Sequence, residues 1–191
     1  MREAEHTACE ALALRSKGLG ENHPDLLYSM GTLASILLEA HRLAEAETLY
    51  RAEVFAMLPR SPADDVALGN ALSGLCSTLL AEGKFTEAEP LARISVALRE
   101  EKMPDDWSTF NMQSVLGATL FGQQKYAEAE PLMLCGYEGM KQREAKVRLR
   151  NGEPRLREAL QRLVQLYEAT NRHEQAADWK KRLDEFEKSE K

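Results

Sequence analysis

Long apolar runs, aromatic residues, paired cysteines and excess basic charge are all scarce in this sequence, and each scarcity excludes a class of protein. No uncharged apolar stretch approaches the roughly 20 residues that cross a bilayer. The start, Met1-Arg2-Glu3-Ala4-Glu5-His6, is acidic where a secretory signal is basic and then apolar. Nothing in the chain therefore reads as targeting or spanning a membrane. The three cysteines, Cys9, Cys76 and Cys135, are odd in number and widely spaced. They fit neither a disulfide framework nor a CxxC zinc or redox site, and a reducing, cytoplasmic setting is the expectation. Aromatics make up only 6% of residues, which starves a β-sheet of its usual building blocks. With 25 Lys and Arg against 31 Asp and Glu, the net charge of −6 argues against a chain built to coat nucleic acid.

What is present is Ala, Leu and Glu, within 191 residues that are 43% apolar and 29% charged. That composition suits helices and a buried core. Self-similarity organises it. Leu43-Ala44-Glu45-Ala46-Glu47 is echoed by Phe85-Thr86-Glu87-Ala88-Glu89, by Tyr126-Ala127-Glu128-Ala129-Glu130 and, more weakly, by His173-Glu174-Gln175-Ala176-Ala177, with Glu3-Ala4-Glu5 as a truncated copy. Ala4, Ala46, Ala88, Ala129 and Ala176 are spaced by 42, 42, 41 and 47 residues, and the long interval contains an insertion from Arg148 to Pro154.

Before each full copy lies a segment with apolar residues three and four apart: Leu33, Ile36 and Leu37; Leu72, Leu75 and Leu79; Val115, Leu116 and Leu120; Leu160, Leu163, Leu166 and Tyr167. This is helical periodicity. Short polar turns separate the two segments of each unit, namely Glu39 to Arg42, Glu82 to Lys84, Gly122 to Lys125 and Thr170 to Arg172. Such turns make antiparallel helical hairpins. The recurring alanine gives a small side chain where two helices 8–10 Å apart cross. Pro24 suits a first helical position beside Asp25, and Thr86 with Glu89 has capping-box spacing. Pro90 and Pro131 fall within a turn of their helix starts, where missing amides are tolerated.

The pairs Leu33-Ala34, Leu75-Cys76 and Leu116-Gly117, each followed thirteen residues after the leucine by Ala46, Ala88 or Ala129, resemble the tetratricopeptide repeat (TPR) family in its 42-residue, kinesin-light-chain-like form. The loop Gly18 to Asp25 between repeats is similar too. The resemblance implies an all-α solenoid of stacked hairpins. It is read here as one orphan helix and four hairpins, about nine helices, with no single globular core. The expected organisation is a half repeat at 1–17, repeat 1 at 24–58, repeat 2 at 64–101, repeat 3 at 105–144, a basic linker at 145–153 and repeat 4 with a polar cap at 154–188. Ala4, Ala8, Ala11, Leu12 and Leu14 of the first helix are available for burial, and its open face suggests a cut array and a homodimer contact. Glu53 and Gly136 stand where the family usually has a small Ala, which implies looser packing there.

The stretch from Asp105 to Phe110 and on through Tyr137 to Glu144 is similar to the C-terminal repeat tails of large bacterial serine/threonine kinases of planctomycete type. The groups that hold Mg-ATP are missing: there is no Gly-rich phosphate loop, no His-Arg-Asp and no Asp-Phe-Gly. The resemblance therefore implies an interaction module and no kinase activity. The Glu-x-Glu pairs recur once per repeat at helix starts, where negative charge offsets the macrodipole, so they read as structural rather than as an acid/base pair. His6, His23, His41 and His173 are dispersed, and His6 with Cys9 supplies only two ligands. The expectation is a non-enzyme without metal or cofactor.

Two binding surfaces remain. Lys141 to Arg157 holds seven basic residues (141, 143, 146, 148, 150, 155, 157) against Glu144 and Glu153, a local charge of +5 against −11 elsewhere. It lacks interleaved aromatics, so an exposed connecting loop is favoured over a site for nucleic acid or an acidic partner. The other surface is the inner face of the first helices, which suits a peptide or protein partner. Helical register turns Tyr28, Thr32, Ser35, Asn70, Ser73, Ser77, Asn111, Ser114, Ala118, Phe121, Gln161, Arg162 and Gln165 toward it. The family's inner-face Asn positions read Thr32, Gly74, Val115 and Arg162 here, with Asn70 and Asn111 as substitutes four residues earlier.

Overall fold

The computed structural model describes residues 2–20, 23–58, 65–149 and 152–189. Glu21 and Asn22 of the inter-repeat loop, the start of repeat 2 at 64, and Arg150 and Asn151 of the basic segment lie outside the described residues. Every regular element among the described residues is an α-helix. The chain divides into two compact units, Met1–Leu98 and Arg99–Lys191.

The first unit contains α1 (Arg2–Gly18), α2 (Pro24–Glu39), α3 (Leu43–Met57), α4 (Asp65–Ala81) and most of α5 (Phe85–Lys102). Helix α2 starts as its sequence suggests: Pro24 opens it, and the N-cap His23 accepts the Asp25 amide at 3.2 Å. Burial is divided into successive clusters. Ala8, Leu33, Leu37 and Ala46 form one; Leu27, Ala34, Tyr50, Leu72, Leu75, Leu79 and Ala88 belong to the next. Each cluster is the interface between neighbouring helices, as in a repeat protein. Ala4 and Leu14 depart from expectation, both being exposed on α1, Leu14 at 71%.

The second unit holds the last turn of α5 and α6 (Trp107–Gly122), α7 (Tyr126–Gln142), α8 (Glu144–Leu149), α9 (Glu153–Ala169) and α10 (His173–Ser189). Trp179 of α10 meets the Tyr137 ring edge-on at 5.1 Å and lies parallel to the Tyr167 ring at 6.5 Å. Little else of α10 is buried, namely Ala176 and Phe186, so its remaining surface is polar. The short helix α8 corrects the expected linker and brings the helix count to ten among the described residues. Val147 is fully buried and its carbonyl accepts from the Gly152 amide at 2.9 Å, while Glu144 accepts from Lys141 at 2.6 Å and Arg148 at 2.8 Å. One apolar anchor and a carboxylate bridge fold a segment that its charge made look solvated.

All four hairpin turns close alike. His41, Gly83, Gln124 and Asn171 have φ of 58°, 74°, 62° and 56°. The next residue's amide reaches back five positions, Arg42 to Leu37, Lys84 to Leu79, Lys125 to Leu120 and Arg172 to Tyr167, at 2.8–3.0 Å. This is the Schellman closure, which satisfies carbonyls at the end of the first helix.

The residue after each of these positions is basic, and Arg42, Lys84 and Arg172 each reach a Glu of the preceding repeat. Arg42 pairs with Glu5, Lys84 with Glu47 at 2.8 Å, and Arg172 with Glu130 at 2.7 Å. The Glu130 carboxyl is held below its ordinary range by Arg172 and, secondarily, by the Tyr167 hydroxyl. The second Glu of the Glu-x-Glu therefore ties repeats together at these places, beyond any macrodipole effect.

Two local expectations fail. Pro90 and Pro131 are the sixth residues of α5 and α7, past the amides that lack acceptors, so each deletes one internal hydrogen bond from a helix that nonetheless continues. Thr86 is the second residue of α5 and not its cap, because the Ala88 amide already bonds to the Lys84 carbonyl at 3.0 Å.

Candidate functional site

The site grows from one recurring crossing between the two helices of a hairpin. Residues 22 apart face each other there: Gly31 and Glu53, Ser73 and Ser95, Ser114 and Gly136. In the second repeat the Ser73 and Ser95 hydroxyls lie 3.2 Å apart, and both bond to the Gly69 carbonyl. In the third, a Cβ at Gly136 would sit 2.6 Å from Ser114 Cβ and 2.7 Å from the Phe110 carbonyl, so the backbones all but touch. Packing at Gly136 is thus tighter than the sequence suggested, because removal of the side chain lets the helices close. The first repeat puts a full Glu side chain into the same slot. It fits because Gly31 faces it: a Cβ there would lie 2.9 Å from both carboxylate oxygens.

Glu53 is only 7% exposed, and its Oε2 finds no hydrogen-bond partner among the described residues. Burial pushes its pKa up to about 7. Interior carboxylates are normally paired or hydrogen-bonded, since desolvating the charge costs several kcal/mol otherwise. Glu53 lies on the floor of an open cleft of about 680 Å³. Helix α2 contributes Asp25, Tyr28, Thr32 and Ser35; α3 contributes Tyr50, Glu53 and Met57; α4 contributes Ala67 and Asn70. Two carboxylates and no Lys, Arg or His line it among the described residues. Tyr28 stands 73% exposed at its edge.

Four sequence-selected residues, Tyr28, Thr32, Ser35 and Asn70, therefore share one cleft. Ser73 is committed to Ser95, and Ser77 is half-buried. In the second unit, Ser114 is fully buried and accepts from Arg162 at 3.1 Å, so it is closed to a partner; Ala118 is buried as well. Arg162 is itself mostly buried and pairs with Glu158 at 3.1 Å. Desolvation lowers its pKa. Asn111 is half-buried with an unpartnered Oδ1 among the described residues, Phe121 packs its ring 5.6 Å from Tyr126, and Gln161 and Gln165 are exposed. Of the family's Asn positions, Gly74 is overlaid by the Tyr50 ring and Val115 is buried.

A second groove, about 690 Å³, runs between α1 and α2 and is lined by Ala4, Thr7, Ala8, Ala11, Tyr28, Thr32 and Ile36. No group of three or more His, Cys, Asp and Glu among the described residues is placed to hold a metal ion. No described helix is long and apolar enough to cross a membrane. In the sequence Glu53 stands out only as a packing irregularity, a Glu where a small Ala is usual. Its signal was the pairing with Gly31 at the spacing where the next repeats carry Ser with Ser and Ser with Gly.

No protein-family model and no curated protein sequence matches the chain. Solved structures do. A Podosopora anserina protein assigned as a kinesin light chain, with nearly identical TPR-like repeats, superposes with a TM-score of 0.72 at 20% identity, covering 100% of this chain and 88% of that one. A single-substitution variant of that protein gives a TM-score of 0.74 at 20% identity over 97% and 85%. BtubC (BKLC) from P. vanneervenii gives 0.69 at 17% identity over 98% and 74%. The fold is thus a TPR-like helical-repeat solenoid, similar to kinesin-light-chain-like repeats. At these identities the likeness concerns the fold and not a ligand.

Proposed function

We propose that this protein is a non-catalytic interaction scaffold that seats an extended partner segment in the cleft between α2 and α4. The observation that carries this reading is the convergence of Tyr28, Thr32, Ser35 and Asn70 on one open cleft with a partly apolar floor. Hydroxyl and amide groups offer hydrogen bonds to a peptide backbone, and an exposed tyrosine supplies an anchor. A photo-crosslinking residue replacing Tyr28 should capture the partner, and the same residue replacing Leu149, 85% exposed and not part of the cleft lining, should not. Equal capture from both positions overturns the reading.

The alternative through the basic 141–157 segment has less support. Lys141 and Arg148 are held by Glu144, Arg155 by Glu158, and Arg143 by Asp105 and the Phe110 ring. Binding to an acidic partner or nucleic acid there would show a steep fall of log K with log salt; a flat response excludes it. The groove beside α1 supports self-association as a second use of the first unit. A sedimentation series that stays monomeric at high concentration rejects that use. The kinase-tail resemblance of 105–144 is an expectation about context and adds no chemistry to either site.

A further inference from the structure

We propose that the α2–α4 cleft selects a partner segment by a cationic side chain, lysine or arginine, whose charge is received by Glu53 at the cleft floor. The inference rests on the scaffold reading above and deepens it by naming what the cleft recognises. Three observations point the same way. Glu53 is more than nine-tenths buried, lines the cleft and has an oxygen without a partner among the described residues. The helix crossing it occupies is filled by hydroxyls in the second repeat and closed by glycine in the third, so packing does not call for a carboxylate. The lining adds a second acid, Asp25, and no Lys, Arg or His among the described residues; the basic groups nearest Asp25, His23 at 3.9 Å from its carboxylate and Arg15 at 3.1 Å from its carbonyl, stand outside the lining.

A carboxylate in a poorly hydrated slot gains from an incoming cation, because the same low dielectric that penalises it alone strengthens the pair. Specificity follows from the same physics. An uncharged side chain of equal length leaves the buried acid unpaired, and an acidic one meets like charge. Tyr28 at the cleft edge and Tyr50 beside Glu53 suit the aliphatic stem and cationic head of lysine or arginine. The cleft is larger than a free amine needs, and its Thr32, Ser35 and Asn70 groups match a peptide backbone, so the occupant is a basic peptide and not a small amine.

The test titrates the isotope-labelled full chain with a neutral-ended heptapeptide carrying one lysine among alanine and serine, following amide shifts of Tyr28, Thr32 and Asn70. The same peptide with norleucine in place of lysine, and n-butylammonium alone, are the other probes. The expected result is at least tenfold tighter binding of the lysine peptide than of either other probe, with the preference lost in Glu53→Gln. Shifts at the cleft with equal affinity for lysine and norleucine peptides overturn the cation proposal and leave the groove intact. A preference that persists in Glu53→Gln also overturns it. Absence of shifts with any peptide overturns both readings, and n-butylammonium binding as tightly as the lysine peptide overturns the peptide assignment. Equal affinity for the lysine and norleucine peptides in the unmodified protein overturns the proposal even if Glu53→Gln misfolds.

Discussion

The two units bury charge in opposite ways. In the second, Arg162 is enclosed but meets Ser114 and Glu158, and Arg99, 4% exposed, donates to Ser108 at 2.7 Å. In the first, Glu53 is enclosed just as completely and Oε2 meets nothing among the described residues. Both sit on the same repeat plan, so the contrast is not one of fold. A buried ion with internal partners stabilises the crossing of its own helices, whereas one without partners leaves its charge for something external to satisfy.

The largest effect expected from this contrast is a pH response of the first unit. Glu53 has a folded pKa of about 7, above its ordinary 4.5. Its contribution is therefore fully present below 4.5 and lost as pH rises through 7. The acidic groups lining the cleft with it are Asp25, Tyr28 and Tyr50, no basic residue among the described ones lines it, and the nearby His23 and Arg15 engage Asp25 rather than Glu53. At about 1.4 kcal/mol per pKa unit, the loss amounts to roughly 3 kcal/mol. Urea denaturation at pH 5 and 8, read by amide exchange in α2 and α3, measures it. Glu53→Gln should remove most of that pH dependence, and an unchanged slope breaks the comparison.

Next in size is the helix crossing itself. Gly136→Ala forces a Cβ against the Phe110 carbonyl and the Ser114 amide at 2.7 Å, neither of which yields easily. A loss of about 2 kcal/mol is expected. Gly31→Ala meets only the flexible end of Glu53 and should cost less than half as much, while displacing the carboxylate. Equal losses in chemical denaturation would show that the two crossings are equally rigid.

Smaller again is the inter-repeat pair. Glu130→Gln should cost roughly 1 kcal/mol at neutral pH, as a partly exposed ion pair does. The Glu130 pKa is depressed, so its contribution is present above 4.5 and declines as pH falls below it, opposite in sense to Glu53. Thermal melts of the variant and the parent, followed from pH 7 downward, should draw together only below pH 4.5, as the depressed carboxyl is protonated. The smallest change is a gain. Gln124 is exposed and held at φ of 62°, so Gln124→Gly should stabilise the second unit by up to about 1 kcal/mol, read as a raised urea midpoint.

The repeat, its hairpins and the alanine crossings were legible because they depend on periodicity and side-chain size. Ala46, Ala88 and Ala129 are each fully buried where the spacing put them. The positions that misled were those where a local signal competed with tertiary contacts. Thr86 and Glu89 have capping spacing, yet the hairpin turn starts α5 earlier. Ser114 has groove register, yet Arg162 closes over it. The 145–153 segment is basic, yet Val147 finds an apolar seat.

Glu53 marks the same boundary most clearly. Sequence periodicity alone determined that this chain is a run of helical hairpins, because apolar spacing, small crossing residues and short turns are local and repeat. Which polar residues became groove, glue or packing was decided by the tertiary structure, since that depends on the facing helix. Gly31 opposite Glu53 and Gly136 opposite Ser114 turn equivalent slots into an acid-lined cleft and a closed contact.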